Sequence, residues 1–210
     1  MCELNILLSH GSPNDVHRQA VESLCLRVKQ ALGDEIQAAF LGDALPQGAK
    51  VVPLFLTQGQ HLEKDVPAMA EASGVQLIAG PAGFPAAMAE MALEMAVAQR
   101  QKQRAVMFAL YRLNVAEALM AELYERSKKF PLPAIAALHG QCDVASVLRL
   151  WPAEDIKDVL IQPVLLFPGH SMDALAAVAK SSGLEVRIGP VLSEHPGFAA
   201  WLAGRFRESA

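Results

Sequence analysis

The sequence predicts an α/β fold built from two similar units, each a parallel sheet wound by helices. Three observations carry that expectation. Apolar runs of strand length alternate with helix-length segments along all 210 residues, the order expected of parallel strands joined by right-handed crossovers. Two stretches, Pro53-Leu-Phe-Leu-Thr-Gln-Gly-Gln-His61 and Pro163-Val-Leu-Leu-Phe-Pro-Gly-His170, repeat one motif: an apolar strand, a glycine turn and a histidine at its tip. Both halves also close alike, with Ile78-Ala-Gly-Pro81 before one last helix and Arg187-Ile-Gly-Pro190 before the other.

The elements follow in order. Residues 4–8 are an unbroken apolar run, as expected of a strand covered on both faces. Ser9-His10-Gly11-Ser12-Pro13 then forms a turn, with Ser12 as N-cap and Pro13 at the first helical position. The next helix sets Val16, Ala20, Leu24, Val28 and Leu32 at helical spacing, and Gly33 stops it. Residues 36–41 and 51–56 read as the second and third strands. Only residues 42–50 join them, too few for a full crossover helix. A helix runs from after His61 to about residue 73, a fourth strand covers 75–79, and a last helix covers 84–99. Met88, Met91 and Met95 share a face of that helix and read as core.

The polar run Gln99-Arg-Gln-Lys-Gln-Arg104 is the natural joint, which sets the N-terminal repeat at residues 1–101 and the C-terminal repeat at 102–210. Beyond it the same order returns. Strands are expected at 105–110, 133–138, 159–167 and 185–188. Helices are expected at 115–128, 144–150, 172–181 and from about Pro196.

Composition narrows the function classes. A net charge of −4 argues against a nucleic-acid surface. Hydrophobic residues make up 52 % of the chain, yet no apolar run reaches the roughly 18 residues of a bilayer span. No basic stretch followed by an apolar one suggests a secretory leader. Cys2, Cys25 and Cys142 are odd in number and far apart, which fits a reducing cytoplasm better than a disulfide framework. A cytoplasmic α/β protein is expected.

In open parallel sheets ligands bind beyond the carboxyl ends of the strands, where strand order reverses. For a flavodoxin-like order that point lies between the first and third strands. His10 follows the first and His61 the third, so both imidazoles are expected in one crevice. Neutral imidazole ligates Fe²⁺, Co²⁺, Ni²⁺ and Zn²⁺ and accepts protons near neutral pH. Glu63 and Asp65, within the turn after His61, are placed to orient an imidazole or hold metal-bound water. Gly11 and Ser12 open a helix whose free N–H groups favour an anion, and Lys64 and Arg18 add positive charge near the same mouth. His17 reads as a surface residue, and His139 and His195 as loop residues.

With His10 in Ser9-His-Gly-Ser12 and His61 in Pro53-Leu-Phe-Leu-Thr-Gln-Gly-Gln-His-Leu-Glu-Lys-Asp-Val-Pro67, the chain resembles the CbiX/SirB family of class II chelatases. These insert cobalt or iron into sirohydrochlorin on routes to cobalamin and siroheme, and relatives insert nickel. Short members pair two copies and long ones fuse them; this chain resembles the fused kind. The resemblance implies that His10 and His61 receive the metal and accept the pyrrole protons. It gives Ser9, Ser12, Glu63 and Asp65 supporting roles, and Gly11, Lys64 and Arg112 contacts with the substrate's carboxylates. The implied partners are a tetrapyrrole and a divalent metal, both as substrates, with no nucleic acid and no membrane. No organic cofactor is expected, since neither a GxGxxG nor a Walker loop is present. The implied state is a monomer acting as a pseudo-dimer, or a homodimer.

The sequence also departs from that family. In the second half, Leu110-Tyr-Arg112 stands where His10 stands in the first, and Asp173 follows His170 more closely than Asp65 follows His61. The second half is expected to be a decayed copy that supplies a wall and Arg112. The short 42–50 connection departs too. Two other readings compete. One is a chelatase descendant that binds metal or tetrapyrrole without inserting one into the other. The other is a serine hydrolase built on Gly169-His-Ser171-Met-Asp173, although Asp173 replaces the second glycine such an elbow requires.

Overall fold

A computed structural model describes residues 4–12 and 15–209. The two compact units are Met1–Phe84 with Pro196–Ala210, and Pro85–His195.

The first unit holds strands β1 (Asn5–Ser9), β2 (Ile36–Phe40), β3 (Lys50–Pro53) and β4 (Gln76–Leu77), hydrogen-bonded in parallel in the order β2-β1-β3-β4. All five residues of β1 are buried, because this central strand is flanked by strands and covered by layers. Its register runs Asn5↔Ile36 to Ser9↔Phe40 on one side and Asn5↔Lys50 to Leu8↔Pro53 on the other. Ile6, Leu8, Ala39, Val51 and Val66 form the core of one sheet face.

Helix α1 (Asp15–Leu32) follows β1. It buries His17, Val21, Leu24, Cys25 and Val28, whereas Val16 is half exposed. Leu24 and Val28 are thus buried as expected, Ala20 and Leu32 are half-buried, and the face is completed by His17, Val21 and Cys25 in place of Val16. The helix is described from Asp15 onward, and the expected first helical position, Pro13, lies outside the described residues.

No helix joins β2 to β3. The Asp43 carboxylate accepts from the Phe40 N–H and closes the turn after β2, while Leu45 and Ala49 fold inward and are buried. Strand β3 ends at Pro53, short of the expected 56. The Leu54 N–H still donates to the Leu8 carbonyl before the chain leaves the sheet.

The second unit repeats the plan with β5 (Ala105–Leu110), β6 (Leu132–Ala137), β7 (Asp158–Val164) and β8 (Glu185–Ile188), in the order β6-β5-β7-β8. Here a short helix does occupy the second crossover, α5 (Val144–Leu150), following α4 (Glu117–Ser127) and preceding α6 (His170–Ser181). Asp143 caps α5 by accepting from the Ser146 N–H, which holds its carboxyl below the usual carboxylate range.

In the first unit α2 (Val66–Ser73) links β3 to β4. The last helices of the two halves are exchanged. Helix α3 (Pro85–Gln99), which closes the first half in sequence, packs on β7 and α4 in the second unit. Helix α7 (Phe198–Glu208) packs on α1 and β3 in the first. Arg207 on α7 donates to the Ala31 and Leu32 carbonyls at the end of α1, satisfying acceptors that the helix itself leaves open.

Candidate functional site

His10 is the first residue past β1, exposed at the carboxyl edge of the first sheet. Its Nδ1–H donates to the Gly11 carbonyl at 3.0 Å. A carbonyl only accepts, so this bond selects the Nδ1–H tautomer and leaves the Nε2 lone pair available. A Cβ on Gly11 would meet nothing. Ser12 is half-buried beside it.

Beneath His10 lies His17. Far from being a surface residue, it is only 4 % exposed. Its ring stacks on that of His10 with centroids 4.5 Å apart and planes 29° apart. Its Nε2 is 3.1 Å from the hydroxyl of Ser9, itself fully buried at the end of β1. Burial first, and the neighbouring His10 ring second, hold the His17 pKa below the ordinary imidazole value. The sequence carried a signal for this position, since His17 precedes Val21, Leu24 and Val28 by four, seven and eleven residues.

His61 opens a single π-turn, His61–Asp65, that leads into α2. Such turns concentrate at functional sites. The Asp65 carboxylate accepts from His61 Nδ1–H at 2.6 Å. Again Nδ1 is engaged and Nε2 is left as the outward lone pair. His61 and Asp65 are 57 % and 40 % exposed at their side chains, so this pair orients the ring more than it stabilises the fold. Glu63 and Lys64 point to solvent with no side-chain partner among the described residues. Of the two acids expected to orient His61, Asp65 does so and Glu63 does not touch it.

Beside this turn an open cavity of about 260 Å³ is walled by Pro53, Leu62, Val66, Leu77 and Ile78. Arg18, on α1, lays its guanidinium 4.3 Å over the Phe40 ring at the end of β2. Strands β1 and β3 are hydrogen-bonded neighbours, and each is followed at its carboxyl end by one of the two histidines. Among the described residues no group of three or more His, Cys, Asp or Glu side chains comes together to hold an ion.

In the second unit Tyr111 follows β5 as His10 follows β1, and it meets His139 edge to face at 5.0 Å. Arg112 is exposed next to it, its guanidinium 5.7 Å from the Tyr111 ring centre. His170 opens α6, but its Nδ1 stands 4.0 Å from Asp173, with both side chains nearly fully exposed. This contact is longer than the 2.6 Å of the His61–Asp65 pair. Ser171 sits in the first turn of α6. His195, read from the sequence as a loop residue, is bound to Glu94 at 2.9 Å.

Comparison with known proteins finds the same fold. The CbiX family model matches residues 112–209, just under half of the chain. The whole chain has the fold of a CbiX described as the terminal enzyme for biosynthesis of siroheme in denitrifying bacteria: TM-score 0.74, 17 % identity, 99 % of this chain and 100 % of that one covered. SirB from Bacillus subtilis with Fe³⁺ matches with TM-score 0.70 and 18 % identity over 100 % and 96 % of the two chains. DR2241 from Deinococcus radiodurans, a multi-domain protein with structural similarity to chelatases, matches with TM-score 0.71 and 16 % identity; this chain spans 56 % of it. No curated protein matches the chain in sequence. No helix among the described residues is long and apolar enough to cross a membrane.

Proposed function

We propose that the chain is a metal chelatase that inserts Co²⁺, Fe²⁺ or Ni²⁺ into sirohydrochlorin or a related tetrapyrrole. The observation that carries this reading is the matched anchoring of two imidazoles. His10 and His61 each spend Nδ1–H on an internal acceptor and each keep Nε2 free, at the carboxyl ends of adjacent strands. The chelatase fold and the CbiX match support the same reading.

The chemistry follows from the stoichiometry. A free-base macrocycle carries two inner N–H protons, and a divalent metal replaces both. Two imidazoles bind the metal through Nε2 and leave most of its coordination sphere open to ring nitrogens. As each metal–imidazole bond gives way to a metal–pyrrole bond, the vacated Nε2 lone pair accepts a pyrrole proton and later releases it to water. Asp65 keeps the His61 ring in the productive tautomer and stabilises the imidazolium that forms there. Ser9 and Ser12 support the His10 turn. Gly11 offers room for close approach, and Lys64 offers a cation for peripheral carboxylates. Glu63 serves proton release to solvent.

The test is insertion itself. Purified protein is mixed with sirohydrochlorin and each metal in turn, and the macrocycle absorbance is followed against the uncatalysed rate. Acceleration is expected, absent from the His10→Ala, His61→Ala double variant and reduced by roughly 10- to 100-fold in Asp65→Ala. Stoichiometric binding without acceleration identifies a carrier instead, a reading favoured by the second unit's Tyr111 and its loose His170–Asp173 contact.

A further inference from the structure

His10 is the more precarious of the two imidazoles. His61 is steered by a carboxylate, whereas the His10 ring donates only to a backbone carbonyl of its own exposed turn among the described residues. A side chain on such a turn wanders among rotamers unless something packs against it. The structure supplies that packing from a residue outside the motif that delivers His10. The His17 ring lies flat under His10 at 4.5 Å, and is itself held between α1 and the buried Ser9 hydroxyl. Both holders are rigid: Ser9 ends the fully buried central strand, and His17 belongs to the buried stripe of α1.

We propose that His17 is a positioning residue for His10: its buried ring is the floor on which the His10 imidazole lies, tied through Ser9 to the end of the central strand, so that Nε2 of His10 points one way. An aliphatic residue here would fill volume but offer no flat face, while histidine supplies both a face and a hydrogen bond that fixes its orientation. The consequence for metal binding rests on the reading of His10 as a metal-receiving residue; the floor itself does not.

The experiment reads the two separately. In metal-free protein, NMR of the His10 ring protons reports the stack, because a ring above another feels its ring current. In His17→Ala those resonances are expected to move toward free-imidazole positions. In His17→Phe, which keeps a flat floor, and in Ser9→Ala, which loosens it, they are expected to stay shifted, less so in the latter. Co²⁺ alone is then titrated and its visible absorption recorded. His17→Ala is expected to weaken Co²⁺ binding by roughly 10- to 100-fold, and His17→Phe to recover most of that loss. In a His10→Ala background, His17→Ala is expected to cost nothing more. Unmoved His10 resonances in His17→Ala overturn the proposal. So does an equal loss of Co²⁺ affinity with and without His10. If the resonances move but His10→Ala leaves Co²⁺ binding intact, the floor stands and the metal role of His10 falls.

Discussion

At the scale of single residues, the site depends on which nitrogen of each imidazole is engaged. Asp65 was legible in the sequence as an acid one turn past His61. Its selection over Glu63 was not, because only the wide π-turn decides which carboxylate reaches Nδ1. His17 was misread because an imidazole is polar by composition, although its spacing to Val21 and Leu24 already put it on the buried stripe. The thiols show the same dependence on place. Cys25 lies in the core, and burial first, then the nearby Glu22 charge, push its pKa to about 12, while Cys142 is exposed. The native state thus keeps its proton where the unfolded chain, with an ordinary value of 9.0, has lost it. The stability from this site is complete below that ordinary value and is lost as pH rises toward 12. Urea melts between pH 9 and 11 should show a slope shallower by about 1.4 kcal/mol per pH unit in Cys25→Ala than in the parent. Equal slopes would show that the thiol ionises freely in the folded protein.

At the scale of elements, strands and helices were readable because their hydrophobic periods are local properties. Strand β8 and helix α5 match their sequence-read bounds, and β5 does as well. The edge of the α1 face was harder: Leu24 and Val28 are buried as expected, but Val16 and Val21 are equally apolar and only packing decides that Val21 is covered and Val16 is not. The repeated Gly-Pro after β4 and β8 has a steric cause. A Cβ on Gly80 would lie 2.0 Å from the Pro53 carbonyl oxygen, which is backbone and cannot yield. At Gly189 the nearest atom is instead the Gln162 amide oxygen, 2.5 Å away, at the end of a side chain. Gly80→Ala should therefore cost about 3 kcal/mol or more, and Gly189→Ala distinctly less. Paired urea midpoints measure this, and the reverse order would contradict the steric account.

At the scale of the whole molecule, the halves read from the repeat and the compact units are different divisions of the chain. The repeat restarts after residue 101, whereas the units part at Phe84 and at His195, because α3 and α7 each join the unit of the other half. A fragment of residues 1–101 keeps α3 but lacks α7, and so leaves the α7-binding side of α1 and β3 bare. It should bind a hydrophobic dye and melt without cooperativity. A chain joining residues 1–84 to 196–210 through a flexible linker should melt cooperatively; if 1–101 does so instead, the exchange carries no energetic weight. The sequence by itself determined the α/β class, the two four-stranded units of like strand order, the strand order's switch point and the two histidines that follow β1 and β3, because apolar period and turn chemistry are written in contiguous residues. Only the tertiary structure decided which acid holds His61, what lies under His10 and which sheet each last helix covers, because those contacts join residues by packing across a fold, where many partners of equal hydrophobicity compete and shape alone selects among them.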